Sequence, residues 1–120
     1  MSKRVMVVDD SRLVRVQLGD VLKGTDYEII AYCRSGEDAI AQYDEIKPDL
    51  VTMDIIMTGM DGLDASEIIL KQHPEARIVM VSSLAYDDTY ERAKAIGVKG
   101  FVDKPFHKEQ LLKIFEQALG

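Results

Sequence analysis

Cysteine is nearly missing from this sequence. Cys33 is the only one, so no internal disulfide can form and a reducing compartment is expected. Basic charge is also in deficit: 15 Lys and Arg stand against 21 Asp and Glu, a net charge of −6. Nucleic-acid contact needs a basic face, and this balance argues against it. Long hydrophobic runs are lacking too. The apolar run behind Lys3-Arg4 covers only Val5 to Val8 before meeting Asp9-Asp10, too short for a signal peptide or a membrane span. No repeat, low-complexity tract or linker breaks the chain. A soluble cytoplasmic protein is expected. Its 120 residues, 47% hydrophobic and 30% charged, read as one domain, 1–120, long enough for a real core.

What is present is organised around Leu50-Val51-Thr52-Met53-Asp54. The first four residues read as a strand buried on both faces. That strand ends on a carboxylate, and burying a carboxylate is costly unless something pairs with it. A loop containing Gly59 and Gly62 follows, then a helical pattern.

The arrangement recurs. Val5-Met6-Val7-Val8 leads into Asp9-Asp10, Ile78-Val79-Met80-Val81 into Ser82-Ser83, and Gly100-Phe101-Val102 into Asp103, Lys104 and Pro105. Tyr27 to Tyr32 is also β-rich, but Glu28 interrupts it as on an edge strand. Helical patterns fill the gaps. Ser11, Ser35 and Asp61 are candidate caps, and Gly24, Pro48, Pro74 and Gly97 are candidate stops. Inward positions are Val14, Leu18, Val21 and Leu22; then Ala39, Ile40 and Tyr43; then Ala65, Ile68 and Ile69; and, in the last helix, Leu111, Leu112, Phe115, Ala118 and Leu119. The helix from about Asp88 to Ile96 is only weakly periodic. Five βα units in succession imply a parallel sheet with helices on both faces.

In open α/β sheets, ligands bind outside the carboxyl ends of the strands. The polar residues at those ends are Asp9, Asp10, Asp54, Ser82 and Lys104. Three close carboxylates repel one another, and their pKa values rise without a counter-charge. Lys104 supplies one positive charge, and a divalent cation would supply two more. The donors are hard oxygens with no His or Cys nearby, which favours Mg²⁺, or Mn²⁺ in its place, over zinc. A carboxylate in such company can attack a phosphoryl group while the metal, the lysine and the hydroxyl hold the peripheral oxygens. Singly, each part has an ordinary account: an acidic cap, a solvent-facing lysine before proline, a Ser-Ser turn. Their joint placement at four strand ends carries the reading.

Through Val7-Val8-Asp9-Asp10-Ser11, Asp49-Leu50-Val51-Thr52-Met53-Asp54, Met60-Asp61-Gly62, Val81-Ser82-Ser83 and Lys104-Pro105-Phe106, the chain resembles the CheY-like response-regulator receiver domain of bacterial two-component systems. The resemblance covers essentially the whole length. It implies an α/β, flavodoxin-like, doubly wound sheet of five parallel strands in the order 2-1-3-4-5, with five helices on both faces. It implies that Asp54 accepts a phosphoryl group from a histidine kinase. Mg²⁺ would be held by Asp10, Asp54 and the backbone carbonyl of Ile56, with Asp9 assisting through water. Ser82 and Lys104 would bind the phosphoryl oxygens, with a cis Lys104–Pro105 bond aiming the lysine. A switch would couple Ser82 to Phe101. The output face would be the fourth helix, last strand and last helix, including Tyr90, Val98 and Phe101.

Such a protein is a signalling module and not a true enzyme, beyond catalysing its own phosphotransfer and self-dephosphorylation. The latter is expected to be slow, because Ile56 and Leu84 would flank the attacking water and neither offers it a hydrogen bond. Thr58 stands where the family often has proline, which is expected to loosen that loop. Unless the sequence is a piece of a longer regulator, no output domain is expected after Gly120, and signalling is expected by contact with a downstream protein, as a monomer or a phosphorylation-dependent dimer. Three other functions compete with this one. A haloacid-dehalogenase-type aspartyl phosphatase wants a second Asp where Ile56 stands. A flavodoxin-like FMN carrier wants a phosphate loop where Asp9-Asp10 would repel phosphate. An unphosphorylated docking scaffold would not need all five site residues.

Overall fold

The continuous apolar runs become the interior strands. The computed structural model describes residues 2–83 and 87–120. Its strands are β1 (Lys3–Val8), β2 (Tyr27–Cys33), β3 (Leu50–Met53), β4 (Ile78–Ser82) and β5 (Gly100–Asp103). All neighbours pair in parallel, in the order β2-β1-β3-β4-β5. The helices are α1 (Arg12–Leu22), α2 (Gly36–Ile46), α3 (Gly62–Gln72), α4 (Asp87–Ile96) and α5 (Lys108–Leu119). This is the flavodoxin-like doubly wound architecture.

The pleat sends alternate side chains into two separate cores. Val5 and Val7 of β1 face a layer built with Val14, Leu18 and Leu22 of α1 and Leu111, Phe115 and Ala118 of α5. Met6 and Val8 face the other, built with Ala39 and Tyr43 of α2, Leu63, Ala65 and Ile69 of α3, and Ala93 of α4. Strands with a helix layer on each side are mostly apolar, and β3 and β4, apolar but for Thr52 and Ser82, are buried throughout. At the edge, β2 exposes Glu28 and Tyr32.

The cap assignments hold. Ser11 Oγ accepts from Val14 N at 3.4 Å, Ser35 Oγ from Asp38 N at 3.1 Å, and Asp61 Oδ1 from Asp64 N at 2.8 Å. The stops differ slightly. Lys23 closes α1, with Gly24 at φ +79° in the turn beyond, and His73 closes α3 ahead of Pro74. Val21, Ile40, Ile68, Leu112 and Leu119, expected inward, are only half-buried. They stand at the margins of their helices' apolar faces.

The chain leaves β1 toward β2 on one side and reaches β3 on the other. The crevice between the carboxyl ends of β1 and β3 is therefore the topological switch point, where ligands bind in such sheets.

Candidate functional site

Asp9 follows β1 and Asp54 follows β3, so the pairing of those strands sets the two carboxylates side by side. The ladder runs on by one rung: Asp54 N donates to the Val8 carbonyl at 2.9 Å, and Asp9 N to the Cys33 carbonyl at 2.9 Å. The β3–α3 loop is closed by Gly62 N donating to the Ile55 carbonyl at 2.8 Å. A Cβ on Gly62 would lie 1.8 Å from the Asp54 carbonyl oxygen, so only glycine lets α3 begin this close. The motif Met60-Asp61-Gly62 was visible in the sequence, but the reason for its glycine was not.

Asp9 and Asp54 are buried, whereas Asp10 is exposed. One carboxylate oxygen from each of Asp9, Asp10 and Asp54 lies within 4.8 Å of the others. Lys104 reaches in from the end of β5, across a cis Lys104–Pro105 bond. Its Nζ stands 3.0 Å from Asp9 Oδ2 and 3.4 Å from Asp54 Oδ1. Lys104 N donates to the Ser82 carbonyl at 2.9 Å, tying the ends of β4 and β5 together. The other Asp9 oxygen accepts from Ser11 N at 2.8 Å, and Asp54 Oδ1 accepts from Ile55 N at 2.9 Å.

The carboxyl of Asp54 is pushed up to about 6. Burial is the largest cause and the Asp9 charge the second; Lys104 and the Ile55 N–H pull the other way. The sequence pointed to mutual repulsion as the cause. Burial exceeds the repulsion from Asp9, and Lys104 offsets part of both.

Ser82 is buried at the end of β4, in register with Asp103. Phe101 lies in β5, half-buried, its ring 4.2 Å from that of Tyr90, whose hydroxyl donates to Asp103 Oδ1 at 2.7 Å. Ile56 sits in the β3–α3 loop with its side chain 63% exposed. Leu84 lies outside the described residues.

Thr58 N donates to Asp10 Oδ2 at 3.4 Å, a bond proline could not make, so the residue expected to loosen the loop also ties it to the cluster. Glu37 of α2 does similar work, its Oε1 accepting from Met60 N at 3.3 Å. Nothing in its sequence position marked it.

Three convergent carboxylates beside a single lysine form a hard-oxygen donor set with an uncompensated negative charge. That chemistry fits a divalent cation of the Mg²⁺ type.

The response regulator receiver domain family matches across residues 5–116, and the chain belongs to that family. It is thus a CheY-like two-component response regulator, a phosphorylation-dependent signalling switch. Among its relatives, the chemotaxis protein CheY of Thermotoga maritima is 37% identical over 118 residues, spanning 98% of each chain. That of Bacillus subtilis is 35% identical over 120 residues, spanning 100% of each. Among solved structures, a chain of the CheX–CheY–BeF3–Mg²⁺ complex from Borrelia burgdorferi superposes with a TM-score of 0.94 at 28% identity, over 98% of this chain and 90% of that one. Among the described residues, no helix is long and apolar enough to cross a membrane.

Proposed function

We propose that Asp54 is the phosphoacceptor, charged by a histidine kinase, and that its phosphorylation shifts the α4–β5–α5 face to control a partner protein. The observation that carries this is the convergence of Asp9, Asp10, Asp54 and Lys104 at the carboxyl ends of three strands. With its pKa at about 6, Asp54 is largely ionised at neutral pH, so an oxygen lone pair is free to attack. An oxygen of Asp54 bonds to phosphorus as the bond from phosphorus to the donor imidazole nitrogen breaks, and that nitrogen keeps the electron pair. Asp10, Asp54 and the Ile56 carbonyl would hold Mg²⁺, with Asp9 assisting through water; the ion, when bound, offsets charge on the phosphoryl oxygens. Lys104 already bridges Asp9 and Asp54, so its ammonium can turn to a phosphoryl oxygen while Asp9 keeps hold of it. The Ser82 hydroxyl takes another oxygen, and its movement frees space for Phe101 to turn inward. The protein acts in the cytoplasm, as a monomer or a phosphorylation-dependent dimer.

Mass spectrometry after incubation with acetyl phosphate and Mg²⁺ tests the central step. The native chain should gain one phosphoryl mass and Asp54→Asn none. A native chain that gains nothing leaves the docking scaffold as the reading. Mg²⁺ titration should raise the melting temperature, since the ion binds only the folded state, and Asp10→Ala should remove at least part of that rise. Self-dephosphorylation is slow in this scheme, because Ile56 gives an attacking water neither donor nor acceptor. Ile56→Asn should speed the loss of phosphate after donor removal, towards the about tenfold that one well-placed interaction is worth.

A further inference from the structure

On the side of α1 that faces β2, a groove of about 290 Å³ is lined by Arg12, Arg15, Val16, Tyr32 and Arg34. Three arginines meet there in a chain whose net charge is −6. The ion pairs among the described residues use Lys71, His73, Arg92 and Lys104 and none of these three. Their placement runs against local electrostatics. Arg12 and Arg15 occupy the first turn of α1, the positive end of its dipole, which carries no acidic residue. The Nε of Arg15 is buried with no hydrogen-bond partner. Its guanidinium lies over the Tyr32 ring, 5.8 Å from the centroid. Among the described residues, Tyr32 and Val16 are two of the four exposed large hydrophobics, 46% and 53% open to water. Departures from local rules are expected at functional or strained sites.

We propose that this groove binds a compact phosphate-bearing ligand with a flat ring, of the mononucleotide class. Phosphate suits the charge, because one group brings nearly two negative charges and three acceptor oxygens at neutral pH, enough for three guanidinium forks. A side-chain carboxylate would occupy only one fork. Tyr32 offers the ring a stacking surface beside Arg15. The volume lies near the lower end of small-molecule pockets, about 300 Å³, and suits a ligand no larger than a mononucleotide. The groove adjoins the phosphorylation site without sharing its residues: Arg12 follows Ser11 and Arg34 follows Cys33, the two residues hydrogen-bonded to Asp9.

The test is NMR titration of the full chain, following the arginine Nε–H signals and the Tyr32 ring, with ADP, pyrophosphate and an oligoglutamate peptide as probes. ADP should give saturable shifts confined to Arg12, Arg15, Arg34 and Tyr32. Arg15→Gln and Arg34→Gln should each weaken binding about tenfold, the size of one lost charge-assisted contact. Tyr32→Ala should weaken ADP but leave pyrophosphate unchanged. The proposal is overturned if shifts rise linearly without saturation or spread over surface lysines. It is equally overturned if both glutamine variants bind as the parent does, or if pyrophosphate matches ADP. Tighter binding of oligoglutamate than of ADP would make the groove a docking face for an acidic protein instead.

Discussion

Helices α3 and α4 are neighbours in the same layer, yet they are held in different ways. α3 buries Gly62, Leu63, Ala65, Ser66 and Ile69, is capped by Asp61, and begins in contact with the Asp54 carbonyl. In α4 the described residues bury one side chain, Ala93. The rest of its hold is polar or peripheral: Arg92 pairs with Asp64 and Glu67 of α3, and Tyr90 packs on Phe101 and bonds Asp103. Water can replace such ties at little cost, whereas buried apolar contacts have no substitute. The elements that move in a switch come from the weakly held end of this range. A change at Asp54 should therefore leave α3 in place and move α4.

Gly62→Ala attacks the anchored side and should have the largest effect. Its Cβ would meet backbone 1.8 Å away, so a loss above about 3 kcal/mol is expected, read as a collapse of the urea midpoint. Retention of parental stability would show that α3 can retreat from Asp54.

The proton on Asp54 comes next. Its native pKa of about 6 lies above the ordinary 3.8, so the folded state binds the proton more tightly than the unfolded chain does. The contribution to stability is thus full below about pH 4 and is lost as pH rises to about 6, a fall of roughly 3 kcal/mol from about 1.4 kcal/mol per pH unit. Denaturant melts with EDTA should show that fall in the parent and not in Asp54→Asn.

Tyr90→Ala should cost about 1 kcal/mol through the lost ring contact and hydrogen bond. Hydrogen exchange should quicken in α4 and stay unchanged in α3; equal quickening in both would break the contrast. Arg92→Ala should change stability least, by under about 1 kcal/mol, because the pair is exposed.

Much of the fold could be read from the chain because a strand covered on both faces is apolar over most of its length. That constraint marks β1, β3 and β4 plainly, and it sets Asp9, Asp54 and Ser82 at the points where apolar character stops. Ser11, Ser35 and Asp61 were legible as caps for a local reason, a side-chain oxygen three residues before the amide it accepts from. What stayed hidden depends on contacts distant in sequence. The grip of Glu37 on Met60 spans 23 positions. The start of α4 was indistinct because only Ala93 among its described residues is buried, so little periodicity reaches the sequence. The arginine groove was invisible for the same reason as the Glu37 contact: its parts come from α1 and from the far end of β2.

The division of the interior into two cores has a consequence for how this protein can change over generations. Each core is sealed from the other by the sheet, so a substitution on α1 or α5 is absorbed among Val5, Val7 and Phe115 without disturbing Met6, Met53 or Met80 across the partition. The two halves can drift at separate rates. A new recognition surface could arise beside α1 while the α4 side keeps an old partner. The site at the strand ends is where the two histories must agree, since Asp9, Asp54 and Lys104 stand on the rim of the partition and answer to both.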